Sequence, residues 1–230
     1  MPVLRQLPRW AWFGGGVLAF IAGMVNAAGY LGFRHQSISN MTGNTSLLGI
    51  SLGTGNGGEA WHWALTIASF VLGAALSGFI VQQSTLKLGR RYGVALTLES
   101  LLLFAAVPLL DANSSIGLYL ASIAVGLQNG MVSTYSGMVF RTTHVTGIFT
   151  DMGIYLGQML RRLPVDMLRL RLRLCVLVAT TFMLGSAAGA LLFRLMQERS
   201  LLIPAALTGA CGLGYSLYRQ YLVKTVRIPD

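Results

Sequence analysis

SISNMTGNTSLLGISLG (residues 37–53) holds no charged side chain, yet it is crowded with hydroxyls, amides and glycines in the middle of a strongly apolar chain. A second stretch, RTTHVTGIFTDMGIYLG (141–157), repeats its pattern. Thr42-Gly43 corresponds to Thr146-Gly147, Gly49 to Gly153, Leu52 to Leu156 and Gly53 to Gly157. The correspondence extends outward on both sides. AGMVNAAGY (22–30) aligns with VGLQNGMVS (125–133) through Gly23/Gly126 and Asn26/Asn129. SFVLGAALSG (69–78) aligns with TFMLGSAAGA (181–190) through Phe70/Phe182, Leu72/Leu184, Gly73/Gly185 and Ala75/Ala187. The last apolar runs of the two halves, Val94–Leu110 and Leu201–Tyr218, match poorly. Ordered blocks of small and polar residues are not explained by shared hydrophobicity, so the chain reads as an internal duplication.

The 230 residues are 54% hydrophobic and only 10% charged, and mean hydropathy is +0.63. Soluble domains carry about 25% charge. The runs Trp10–Leu31, Ala60–Val81, Val94–Leu110, Ile116–Val132, Leu174–Leu195 and Leu201–Tyr218 are each about 17 to 22 residues long, enough for a hydrocarbon core of about 30 Å. The net charge of +10 sits mostly in short loops between these runs, which is a topology signal and excludes a nucleic-acid reading. Cys175 and Cys211 lie inside apolar runs and imply no disulfide framework. The N-terminus has the make-up of a signal peptide, but Asn26 within it has its counterpart at Asn129, which argues against cleavage.

Positive residues orient the halves. Arg5 and Arg9 place the N-terminus inside, TGNGGEA and DANSS read as outside, and KLGRRYG and RRLPVDMLRLRLR read as inside. QERS is ambiguous, and the tail with Arg219, Lys224 and Arg227 reads as inside. This parity requires each polar segment to enter and return on one side. The expectation is an all-α integral membrane protein, one domain over 1–230, with six transmembrane helices plus two re-entrant short helices. They form two inverted repeats, 10–110 and 115–219, an arrangement in which transporters place sites near the bilayer midplane.

Residues 33–40 lack helix signals, whereas Asn40, Thr42 and Asn44 are good N-cap types before an apolar run ending at Gly53. The second copy predicts an extended stretch over 137–144 and a helix from about Thr146 to Leu160. Irregular backbone at membrane depth needs burial in protein or a wet cavity. Helix N-termini offer free N–H groups and a positive dipole end. The two helix starts therefore suit a shared polar site for an anion or a small neutral solute with acceptor oxygens. Candidate lining residues are Asn26, Asn40, Thr42, Gly43, Asn44, Gln128, Asn129, Thr143, His144, Thr146 and Gly147. Any one of these can equally serve as a cap or a packing residue.

Ionisable groups in apolar surroundings are Glu99, Arg141 and Asp151, a candidate charge or proton relay. A structural ion pair of Arg141 with either acid is the alternative. Arg34, His35 and His62 read as interfacial, Arg194 as snorkelling, and Trp10, Trp12, Trp61 and Trp63 as interface anchors. There is no metal-ligand spacing, no phosphate-binding glycine loop and no nucleophile set, so neither enzyme activity nor a cofactor is expected.

SNMTGNTSLLG (39–49) and GLQNGMVSTYSGMVFRTTHVTGIFTDMG (126–153) resemble the YoaK family of bacterial membrane proteins, long filed as a domain of unknown function. The resemblance covers nearly the whole chain. The matching residues are Asn40, Thr42, Gly43, Asn44, Gln128, Asn129, Arg141, Thr142, Thr146, Gly147 and Asp151. It implies a bacterial inner-membrane protein and carries no substrate. The function expected from the residues is small-solute transport by a carrier or channel. The rivals are a structural or regulatory membrane protein assembling through small-residue helix faces and, less favoured, an intramembrane enzyme. The expected partners are the lipid bilayer and a small solute, and the small-residue faces are compatible with a homo-oligomer.

Overall fold

The computed structural model describes residues 9–32, 34–81, 91–135, 142–161 and 165–226. The described residues form helices α1 (Arg9–Leu31), α2 (Met41–Gly53), α3 (Gly57–Val81), α4 (Arg91–Asp111), α5 (Ser115–Tyr135), α6 (Val145–Leu160), α7 (Val165–Met196) and α8 (Leu202–Val226). A 3-10 turn, Gln197–Leu201, separates the last two. No strand occurs among the described residues. Five helical stretches are long and apolar enough to cross a membrane: Trp12–Leu31, Gly57–Val81, Arg91–Asp111, Ser115–Thr134 and Leu168–Tyr221. The last takes in α7, the turn and α8. Large apolar side chains point outward, among them Phe79, Leu160 and Leu195, each more than three-quarters exposed. Such a surface suits lipid and not water, and the chain has the build of a membrane-embedded protein.

The two polar stretches form short helices, as their capping residues predict. α2 has 13 residues and α6 has 16. At 1.5 Å per residue these are roughly 20 and 24 Å long, short of the bilayer core. α2 packs on α3 and α6 on α7. α7 starts at Val165, well before the apolar run that predicts it.

The long helices pair across the halves: α1 lies on α7, and α3 on α5. Small residues set these contacts. A Cβ at Gly23 would overlap the Phe182 carbonyl, and one at Gly185 the Phe20 carbonyl. On the other pair, a Cβ at Gly126 would meet the Phe70 carbonyl, and one at Gly73 the Ile123 carbonyl. Both pairs therefore touch backbone to backbone, with glycine as the only residue that fits. Ser186 Oγ adds an interhelical bond to the Gly23 carbonyl at 3.2 Å. On α4 and α8, Ser100 Oγ donates to the Ala205 carbonyl at 2.8 Å.

Two apolar clusters fill the interior. Val25, Ile38, Leu103, Leu110, Leu118, Phe193 and Leu201 belong to one, and Ala19, Tyr92, Leu96, Leu127, Met131, Leu174 and Val178 to the other. Polar networks lie between and around them.

Gly126→Leu should separate α3 from α5 and cost about 3 kcal/mol or more, since overpacked cores lose about 1–3 kcal/mol even where neighbours can shift. Gly153, in α6, has open space where a Cβ would sit. Gly153→Ala should therefore stabilise by about 0.5–1 kcal/mol. Thermal unfolding of the purified protein in detergent checks both signs.

Candidate functional site

Asn26 on α1 organises the approach to α2. Its Oδ1 accepts from the Ser37 and Ser39 hydroxyls and from the Ser39 backbone N–H. Ser37 Oγ in turn accepts from the Asn40 N–H at 2.8 Å. Asn40 is the N-cap of α2, its Oδ1 accepting from the Gly43 N–H at 3.1 Å. The second half has a related arrangement. Asn129 on α5 accepts from Thr143 Oγ1 at 2.9 Å and from Thr142 Oγ1 at 3.4 Å. His144 stands in the cap position of α6 without a side-chain capping bond. A helix asparagine thus replaces the partners that non-helical backbone and hydroxyls would lack in hydrocarbon.

The starts of α2 and α6 face one cavity of about 440 Å³. Its lining is Asn26, Tyr30, Ser39, Asn40, Met41, Thr42 and Phe70 from the first half, and Asn129, Ser133, Thr143, His144, Val145, Thr146 and Phe182 from the second. In the register of the aligned blocks these fourteen residues are seven pairs: Asn26/Asn129, Tyr30/Ser133, Ser39/Thr143, Asn40/His144, Met41/Val145, Thr42/Thr146 and Phe70/Phe182. Among the described residues, no lysine, arginine or carboxylate belongs to this lining. Hydroxyls, amides and an imidazole supply its polar groups, between two phenylalanine rings.

Of the residues expected at the site, Asn26, Asn40, Thr42, Asn129, Thr143, His144 and Thr146 line the cavity. Four others stand behind it. Asn44 is 2% exposed and donates to the Ser37 carbonyl at 3.3 Å. Gln128 is buried against Glu99. The sequence suggests that Gly43 and Gly147 open the backbone to a ligand, but the cap residues take that space. A Cβ at Gly43 would lie 2.9 Å from Asn40 Nδ2, and one at Gly147 would overlap the His144 ring. The Thr-Gly pair exists because each cap side chain folds back over the following glycine.

The charged residues separate. Glu99 is buried on α4 and accepts from Gln128 Nε2 at 2.9 Å. Asp151 is exposed on α6, and no ion pair of it occurs among the described residues. Arg141 lies outside the described residues, and with it the expected ion pair. Two ion pairs among the described residues are peripheral: Arg34 with Glu59 at 2.9 Å and Arg199 with Asp111 at 2.8 Å.

His62 departs from its interfacial reading. It is 4% exposed, with Nε2 2.6 Å from Gln36 Oε1 and Nδ1 2.9 Å from the Tyr119 hydroxyl. In the neutral imidazole, Nε2–H donates to Gln36 and Nδ1 accepts from Tyr119. The ring thereby has both nitrogens paired, which position near the start of an apolar run does not reveal. Gln36 and Tyr119 belong to no motif, and only their contacts with His62 expose them.

An all-helical build with five stretches long and apolar enough to cross a membrane, and an apolar surface, define a class, the helical membrane-embedded proteins. Residues 15–214 match the family described as "Protein of unknown function (DUF1275)", and the chain belongs to it. No curated protein and no solved structure matches the chain.

Asn26→Leu removes the acceptor for Ser37 and Ser39 at one step. Stranding buried donors costs about 1–3 kcal/mol, so its melting temperature should fall well below that of Ser39→Ala, which removes a donor and leaves the acceptor paired. Equal melting temperatures for the two variants would show that Asn26 does not organise the approach to α2.

Proposed function

We propose that the chain is a small-solute membrane transporter, a carrier or a channel, whose substrate site is the cavity between the starts of α2 and α6. The observation that carries this reading is the pairing of the lining: a cavity fashioned from both halves at equivalent positions is what two inverted repeats make at their interface. We read the halves as 10–110 and 115–219, each crossing three times, with α2 and α6 re-entrant. The exchanged pairing, α1 on α7 and α3 on α5, supports this. So does the gathering at one end of the bundle of Arg34 with Glu59, Arg199 with Asp111, and Gln36 with His62 and Tyr119. That end carries TGNGGEA and DANSS, which hold no Lys or Arg, and this supports reading it as outside and both termini as cytoplasmic. Membership in the DUF1275 family is compatible with the resemblance to YoaK proteins and with a bacterial inner membrane.

The lining suits the solute class expected from the sequence. Donor hydroxyls and amides at two helix N-termini favour acceptor oxygens or an anion, and about 440 Å³ is within the range of roughly 300–1,000 Å³ common for small-molecule sites.

A thermal-shift screen of the purified protein against small oxyanions and small neutral polyols and amides tests this. A bound solute at about 100 times its Kd adds roughly 2.7 kcal/mol. At least one solute should raise the melting temperature of the wild type and fail to do so in the Thr42→Val, Thr146→Val double variant. Shifts that survive in the double variant would place binding elsewhere and contradict the assignment.

A further inference from the structure

The second half carries a polar chain that the first half lacks. Glu99 is 1% exposed, and one of its oxygens accepts from Gln128 Nε2 at 2.9 Å. Gln128 Oε1 accepts from the Thr142 hydroxyl at 3.2 Å. The same hydroxyl lies 3.4 Å from Asn129 Oδ1, which also accepts from Thr143 Oγ1 at 2.9 Å. Asn129 and Thr143 line the central cavity. A continuous set of side chains thus leads from a buried carboxyl to the site. The first-half counterparts of Gln128 and Thr142 are Val25 and Ile38, both buried and apolar. Packing alone does not call for polar groups here. The second carboxylate oxygen of Glu99 has no hydrogen-bond partner among the described residues.

Thr142 has one hydroxyl proton and two acceptors in reach. The charge on Glu99 decides between them. A carboxylate only accepts, so Gln128 turns Nε2 toward Glu99 and Oε1 toward Thr142, and it takes the Thr142 proton. A neutral carboxyl has an O–H to place. The Gln128 amide, turned over, accepts that O–H through Oε1 and donates through Nε2 to Thr142 Oγ1. Thr142 then gives its proton to Asn129 Oδ1, which it shares with the Thr143 hydroxyl, and two donors on one oxygen weaken each other's bond.

We propose that Glu99 is a proton-binding site whose occupancy reverses the Gln128–Thr142–Asn129 chain and weakens the bond of the Thr143 hydroxyl to Asn129, which makes that hydroxyl easier for a solute in the cavity to take. One proton is taken up from water at Glu99; no other atom is transferred, and no bond besides O–H is made. The groups around Glu99 suit this role. From α8 the Cys211 thiol is within its electrostatic reach, from α5 it meets Gln128, and no described Lys, Arg or His bears on it. A fixed cation would hold the carboxylate charged, and none is there among the described residues. The proposal deepens the transport reading by coupling solute binding to protonation.

Infrared difference spectra of the lipid-reconstituted full chain, taken between high and low pH, test the switch without any solute. The reporter is the S–H stretch of Thr143→Cys in a Cys175→Ala, Cys211→Ala background. Lowering the pH should shift this band to that of a more weakly bonded thiol. The shift should be lost with Glu99→Gln and with Thr142→Val, and return with Thr142→Ser. A band that ignores pH, or a shift that persists with Glu99→Gln, overturns the proposal. Should the thiol variant not fold, the protonated-carboxyl C=O band lost between wild type and Glu99→Gln serves instead. That band should move in Thr142→Val, and a band absent or unmoved overturns the proposal. A failed switch with solute binding intact leaves the transport reading standing; a working switch with no solute bound in the cavity does the reverse.

Discussion

Four glycine-to-carbonyl contacts hold this molecule in its arrangement. In lipid, apolar side chains gain nothing by leaving their surroundings, so helices associate only where backbones approach closely and interhelical hydrogen bonds form. Gly23 and Gly185 close α1 on α7, and Gly73 and Gly126 close α3 on α5. Each contact joins one half of the chain to the other. With those crossings fixed, Asn26 and Asn129 and the rings of Phe70 and Phe182 are drawn to one place.

That arrangement leaves non-helical backbone just before α2 and α6, and the polar residues answer it. Asn26 and Asn129 take up the hydroxyls of residues 37–39 and 142–143, while Asn40 closes the first turn of α2. These bonds are structural, yet they leave Thr42, Thr146 and the face of the cap residues toward the cavity. Scaffold and site are therefore made from the same segments. Among the described residues, the chain from Glu99 and the His62 cluster add polarity beyond this need, and there the two halves differ.

Much of this was legible in the sequence, for physical reasons. Span length and charge asymmetry are set by the bilayer, so the long helices could be read directly from apolar runs. The Asn and Thr before Gly43 and Gly147 announced helix starts, and the duplication announced a shared site. What could not be read were the directions side chains take and the contacts between residues distant in sequence. Glycine 43 looked like a door to a ligand, but Asn40 covers it. Asn44 and Gln128 carry site-like chemistry yet face inward, because their helical register points them away from the cavity. His62 near a span end looked interfacial until Gln36 and Tyr119 met it. Asp151 looked buried because its run is apolar, but α6 turns it outward.

The central claim is that the starts of α2 and α6, from opposite halves, face each other across one cavity. Cross-linking of Thr42→Cys to Thr146→Cys, in a chain lacking Cys175 and Cys211, tests it most directly. A short bifunctional thiol reagent should join the two within a single chain in membranes, while Thr42→Cys paired with Leu160→Cys, at the far end of α6, should remain unjoined. If each cysteine is modified singly by the reagent but the Thr42–Thr146 link never forms, the two helices do not share a site.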